Sequence, residues 1–110
     1  TEALTVIDVN SGKYESNKRR EEYFLTLNQE AAREIALQLR LRNLSGIILV
    51  DFIDMEEKED QELLMKTLAV QCARDPVKTT VVDMTRLNLV EITRKKIRKP
   101  LHEQVRLFGK

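Results

Sequence analysis

Two aspartates close apolar runs in this chain. Asp8 follows Leu4-Thr5-Val6-Ile7, and Asp51 follows Ile47-Ile48-Leu49-Val50. Runs of this kind read as buried strands, and an open α/β sheet places its ligand at the carboxyl ends of its strands. Two acids at one such edge disfavour each other unless a cation lies between them. The donors are oxygens, which suits a hard divalent ion. Magnesium typically takes one or two carboxylates and keeps its waters for phosphate, with manganese as an alternative. Asn10 lies two residues beyond Asp8 on the same strand face, so its amide reaches the same point. Each of these residues also has a plain structural use, the aspartates as strand-end caps and Asn10 as a turn former ahead of Ser11-Gly12. Asp54 is a tempting third ligand. It falls on the opposite strand face from Asp51, however, and its spacing to Glu57 fits a helix cap.

The other reactive residue types offer less. His102 is the only histidine and sits in a charged tail, so no Ser/His/Asp or Cys/His arrangement is credible. Cys72 falls at helical spacing with Leu64 and Leu68 and reads as core. Gly12 and Gly46 are isolated, without a phosphate-cradling glycine loop. The run Arg94-Lys95-Lys96-Ile97-Arg98-Lys99 carries five positive charges in six residues. It is either a solvated face or a set of contacts to the phosphates of a polyanion. Tyr14, Tyr23, Phe24 and Phe52 are too scattered for a base-stacking platform.

Regular elements must hold the two acids together. Leu4 to Asn10 reads as a strand, followed by a polar, aperiodic stretch from Ser11 to Arg20 that reads as a strand extension or turn and then a loop. The apolar stripe Ala32, Ile35, Ala36 and Leu39 predicts a helix from about Asn28 to Arg42, with Thr26 and Gln29 as its capping box. Asn43 to Gly46 ends that helix, since both residue types tolerate left-handed backbone. Ile47 to Ile53 is then a second strand, parallel to the first because a helix links them, with a right-handed crossover. Parallel pairing puts Asp8 and Asp51 at one edge. A second helix is predicted from Asp54 to about Arg74, with Leu64, Leu68 and Cys72 inward and the acids Glu56, Glu57, Glu59, Asp60 and Glu62 in its first turns, where the helix dipole favours them. Lys78 to Asp83 and Leu89 to Thr93 are two more strands, antiparallel across a turn at Arg86-Leu87-Asn88. If they pair, Lys78 and Arg94 are neighbours and join two basic regions into one patch. A basic tail ends in a weak helical segment around Leu101 to Leu107. The expected fold is α/β: a mixed sheet in β-α-β-α-β-β order with helices packed on it.

Bulk properties bound the rest. With 110 residues, 42% of them hydrophobic and 34% charged, the chain makes one ordinary globular domain. A net charge of +1 confines any nucleic-acid surface to a local patch. The longest apolar stretch is far short of the roughly 20 residues of a membrane span. The residues ahead of the first strand are not expected to be a signal peptide. A single cysteine excludes an internal disulfide and a cysteine-built zinc site, which suits a reducing cytosol. The chain starts on Thr and enters a strand within a few residues, as a piece of something larger would.

Several runs carry a resemblance. Ile7-Asp8-Val9-Asn10-Ser11-Gly12, Glu30-Ala31-Ala32, Ala36-Leu37-Gln38-Leu39-Arg40-Leu41-Arg42-Asn43-Leu44, Gly46 through Met55, Arg74 through Thr79 and Leu87 through Lys95 resemble, in the right order, the catalytic core of the ribonuclease E/G family. The helix end Gln-Leu-Arg-Leu-Arg-x-Leu-x-Gly joined to Asp-Phe-Ile-Asp-Met is the most specific part. The resemblance implies a magnesium-dependent endoribonuclease of the bacterial cytoplasm or plastid that cuts single-stranded RNA, with residues 1–110 as its single DNase I-like catalytic subdomain. It implies metal-holding roles for Asp8 and Asp51 and a phosphate contact for Asn10. It implies a preference for 5′-monophosphorylated substrates, with Lys78 in the phosphate sensor, where some members carry arginine. A homo-oligomer is expected of the full-length protein. The family's Phe-Asn-Thr-Asn-Leu-Glu segment appears here as Leu25-Thr26-Leu27-Asn28-Gln29-Glu30. The S1-type RNA-binding domain, most of the 5′ sensor and the zinc link have no counterpart in these 110 residues, so the chain alone should be a poor nuclease. The readings on the table are therefore phosphodiester hydrolysis by a metal bound at Asp8 and Asp51, with Asn10, Lys78, Arg94, Lys95 and Lys96 on RNA phosphate, and a non-catalytic α/β module for RNA binding or oligomer contacts. A nucleotide-binding domain is weakened by the missing glycine loop.

Overall fold

The computed structural model of the chain describes residues 3–9, 20–85 and 87–97. Six elements follow one another: β1 (Leu4–Asp8), α1 (Arg20–Leu41), β2 (Gly46–Asp51), α2 (Lys58–Ala73), β3 (Thr79–Met84) and β4 (Val90–Arg94). They make a mixed four-stranded sheet in the order β1-β2-β4-β3. β1 runs parallel to β2, and β4 is antiparallel to both β2 and β3. The α/β class, the chain order of the elements and the parallel first pair are as expected from the sequence.

Alternation decides which face is covered. Ile48 and Val50 of β2 pair with Ile92 and Val90 of β4, and all four are fully buried. Against them pack Ala32, Ile35, Ala36 and Leu39 of α1 and Leu64, Leu68 and Cys72 of α2, in one cluster. Both helices thus lie on one side of the sheet. On the other side stand Leu4, Val6 and Asp8 of β1 with Ile47, Leu49 and Asp51 of β2, and here Leu4 and Val6 are more than 60% exposed. The result is two layers with one sheet face open. Between Val81 and Asp83 the register with β4 slips, leaving Val82 exposed, as a bulged edge strand allows.

Several boundaries depart from the sequence reading. Helix α1 begins at Arg20, not near Asn28, and Thr26 lies inside it, its hydroxyl donating to the Glu22 carbonyl at 3.1 Å. No capping box exists there; Glu21 and Glu22 occupy the first turn instead, where the helix dipole favours acids. What hid the first two turns is Asn28, a polar residue in the middle of the buried stripe that runs from Phe24 to Leu39. Helix α2 begins at Lys58 behind Glu57, which makes no side-chain cap bond, and Asp54 lies exposed in the preceding loop. Asp54 is therefore not the cap of that helix. Strand β2 ends at Asp51 rather than Ile53. The end of α1 agrees with expectation: Asn43 and Gly46 have φ of 49° and 86°, and the Leu44 amide donates back to the Leu39 carbonyl, the closing bond of a left-handed helix end.

Arg94 ties the far end of the sheet together. Its Nε donates to Asp75 Oδ2 at 2.8 Å and its Nη2 to Asp75 Oδ1 at 3.3 Å. Nη1 donates to the Asn43 side chain at 3.0 Å and the Leu44 carbonyl at 2.9 Å. One guanidinium thus joins the end of β4 to the α1–β2 and α2–β3 connections, using the planar donor fork that lysine lacks.

Candidate active site

Asp8 and Asp51 are register partners, the last pair of the parallel ladder. One further bond, from the Val9 amide to the Asp51 carbonyl at 2.9 Å, locks the strands together just past them. Paired residues of adjacent strands share a face and lie roughly 4.8 Å apart along the ladder. Both aspartates are exposed, on the open face at its carboxyl edge. Neither carboxylate has a hydrogen-bonding or ion-pair partner among the described residues. Like charges directly opposite destabilise a sheet, so this pair costs the fold something and gives it no contact in return. Among the described residues no group of three or more His, Cys, Asp or Glu side chains converges on a point. Two unpartnered carboxylates with open access fit magnesium, which asks for few protein ligands and keeps its waters. They do not fit a structural zinc site, which needs four.

Asn10, the third residue of the expected constellation, lies outside the described residues, as do Arg98, Lys99 and His102. Asp54 contributes to a neighbouring feature. A cavity of about 270 Å³ at the same end of the molecule is lined by Phe52, Ile53, Asp54, Met55, Gln61, Leu64, Met84 and Asn88. It is bounded by the loop after Asp51, the start of α2 and the β3–β4 turn.

The basic residues gather at the opposite end. Lys95 donates its amide to the Lys78 carbonyl at 3.0 Å, so the antiparallel hairpin makes neighbours of two sequence regions, as expected. Lys78, Lys95 and Lys96 are exposed and line a groove with Gly46, Ile47, Thr80, Thr93 and the buried Arg94. Gly46 opens β2 and Asp51 closes it, which separates groove and carboxylates by about 17 Å at strand rise. The cluster is therefore not beside the aspartates. Arg94 must also be removed from the expected phosphate-binding set. It is 4% exposed, and four hydrogen bonds to Asp75, Asn43 and Leu44 occupy its guanidinium. Cys72 is buried, and burial, then the Asp75 charge, pushes its thiol up to about 11. It is no nucleophile.

Asn28 is the residue that sequence reasoning missed. It is fully buried, and both arms of its carboxamide serve Ile53: Nδ2 donates to the carbonyl at 2.9 Å and Oδ1 accepts from the amide at 3.0 Å. The signal was present as a polar residue four positions before Ala32 on an apolar stripe, which must find partners once buried.

Fold and site together define an α/β domain with a solvent-facing carboxylate pair at the carboxyl edge of a half-covered sheet. The sequence profile of the Ribonuclease E/G family matches residues 1–97. Over 109 residues the chain is 47% identical to Ribonuclease E of Nostoc sp. strain PCC 7120, covering 99% of this chain and 15% of that protein. It is 43% identical to a Ribonuclease E/G-like protein of Porphyra purpurea, covering 94% of this chain and 20% of the other. With Ribonuclease G of Haemophilus influenzae the figures are 44%, 92% and 21%. This chain belongs to the Ribonuclease E/G family. It spans only about a fifth or less of the length of these curated relatives. Among the described residues no helix is long and apolar enough to cross a membrane.

Proposed function

We propose that the chain is the catalytic subdomain of an endoribonuclease that hydrolyses phosphodiester bonds in single-stranded RNA with the help of magnesium. The observation that carries this reading is the placement of Asp8 opposite Asp51, both exposed and neither with a partner among the described residues. Asp8 and Asp51 hold the ion; when bound, magnesium polarises a phosphate oxygen and lowers the pKa of its water. Strand pairing fixes the spacing of the two carboxylates before substrate arrives, so little reorganisation accompanies binding. Asn10 contacts the scissile phosphate. The uncovered sheet face gives an extended strand room to approach without displacing any element. At the other end, Lys78, Lys95 and Lys96 hold RNA phosphate, and Lys78 favours substrates with a 5′-monophosphate. Lysine is a point charge without a fixed fork, suited to backbone or terminal phosphate more than to a base edge.

The relatives named Ribonuclease E and Ribonuclease G support an RNA substrate. Their greater length supports placing the RNA clamp elsewhere in the intact protein, which is also where homo-oligomer contacts and a cytoplasmic or plastid setting belong. The test is cleavage of a single-stranded oligonucleotide by the intact protein, with magnesium chelated and then restored, for wild type, Asp8→Asn and Asp51→Asn. Metal-dependent cutting by wild type alone is expected. Equal turnover in all three at limiting magnesium contradicts the reading.

The exposed Leu4 and Val6 favour a second reading, a non-catalytic module whose open face meets another part of a longer chain. It predicts that Leu4→Ser and Val6→Ser disturb assembly while the two aspartate variants change nothing.

A further inference from the structure

We propose that Asn28 is a positioning residue for the carboxylate pair, setting the path of the chain as it leaves the sheet after Asp51. The inference rests on the reading of Asp8 and Asp51 as the catalytic acids. A polar side chain in the core costs stability unless every arm is satisfied. Asn28 is 0% exposed, and its donor and acceptor both go to one residue, Ile53, 25 positions away. A carboxamide that accepts from an amide and donates to the carbonyl of the same residue does what a neighbouring strand does. It extends the hold on β2 two residues past the point where the ladder ends.

Asp51 is thereby fixed from both sides. Its own carbonyl is taken by the amide of Val9, just past β1, and the backbone beyond it is gripped by α1 through Asn28. The loop that follows is anchored again at Met55, whose carbonyl accepts from Gln61 Nε2 at 2.7 Å. Among the described residues Asp51 has no side-chain partner to hold it, so its direction depends on the backbone. The clamp holds the chain two residues beyond that acid.

The chemistry of the clamp dictates the variants. Asp at position 28 offers acceptors alone, keeping a bond from the Ile53 amide and losing the one to its carbonyl. Ser is smaller and serves one bond. Position 28 is fully buried, so a change here reaches the site through the backbone that follows Asp51. Misplacement of a reacting group by about 1 Å is enough for a hundredfold loss of rate.

The experiment uses the intact protein carrying this chain and compares wild type, Asn28→Asp, Asn28→Ser and Asp51→Asn, each well below its own unfolding temperature. Manganese binding without RNA is followed by water-proton relaxation, and kcat and KM for RNA cleavage are measured against magnesium. The expected result is weaker manganese binding in both Asn28 variants. Their kcat falls by about tenfold to a hundredfold with KM for RNA little changed, and excess magnesium partly restores the rate. Should one variant fail to fold, the other carries the comparison. Unchanged manganese affinity and unchanged kcat, with only a lowered unfolding temperature, assign Asn28 to stability and overturn the proposal. If Asp51→Asn binds manganese and cleaves like wild type, the carboxylate reading itself fails, and that outcome is visible whatever the Asn28 variants do.

Discussion

The two ends of the sheet handle charge in opposite ways. At the carboxyl edge of β1 and β2, Asp8 and Asp51 face solvent side by side, with no counter-charge among the described residues. At the other end, Arg94 and Asp75 are buried with side chains about 3% and 2% exposed, and every contact they make serves the fold. Unsatisfied charge on an open surface is a site waiting for a ligand; satisfied charge under the surface is a rivet. The difference separates residues that sequence had grouped together. Arg94 belonged with Lys95 and Lys96 by position, yet its guanidinium is committed to four hydrogen bonds within the fold.

The largest effect expected at either end is on activity. Asp8→Asn or Asp51→Asn in the intact enzyme lowers cleavage by about a thousandfold or more, a few kcal/mol of lost transition-state stabilisation. Stability is unchanged or slightly raised, because a like-charge contact disappears. Denaturant unfolding alongside single-turnover cleavage checks both halves; a folded variant with wild-type turnover breaks the comparison.

The buried end predicts the reverse. Arg94→Met strands Asp75 without its counter-charge and costs about 3–5 kcal/mol of stability. Cleavage per folded molecule at low temperature stays near wild type, and so does the salt dependence of RNA binding. A steep loss of RNA affinity in a stable Arg94→Met protein returns Arg94 to the interface.

Acid should find the same pair. Burial alone raises the Asp75 pKa, but hydrogen bonds from Arg94, Val77 and Thr79 outweigh it and hold the carboxyl below its ordinary value. A depressed carboxyl contributes stability that is fully present above its unfolded pKa of about 3.9 and is lost as pH falls through the folded value. Unfolding free energy measured from pH 6 downward should therefore drop below about pH 4, and with a shallower slope in Asp75→Asn. Parallel curves for the two proteins contradict the assignment.

A smaller effect belongs to the exposed lysines. Lys78→Ala flattens the salt dependence of binding to single-stranded RNA by roughly 0.7 log units per log unit of salt for the one lost contact. It does so equally for unrelated sequences, and it narrows the rate difference between 5′-monophosphorylated and 5′-hydroxyl substrates. An unchanged preference makes Lys78 a strand-edge charge.

What was legible in the sequence follows the same division. Periodicity is a local signal, so the stripe Ala32, Ile35, Ala36, Leu39 and the run Leu64, Leu68, Cys72 led directly to the core. The parallel pairing of β1 and β2 followed from the helix between them, and with it the meeting of Asp8 and Asp51. Partner choice is not local. Nothing near Arg94 in sequence says that Asp75, 19 residues earlier, will take it, or that Asn43, 51 residues earlier, will share it. Asn28 misled for the same reason. Its partner Ile53 lies 25 residues away in the loop after β2, so a buried polar residue read as the polar start of a helix. Asp54 misled through a spacing that matched a cap, whereas the helix starts four residues later.

The most direct test of the central claim is a manganese titration of the chain followed by NMR, using paramagnetic broadening to locate the ion. The amides of Asp8, Val9, Asp51 and Phe52 should broaden first and together, and Asp51→Asn should abolish the effect. Broadening that begins instead at the acidic start of α2, around Glu57, Glu59 and Asp60, or that survives in Asp51→Asn, contradicts a metal site at the carboxylate pair.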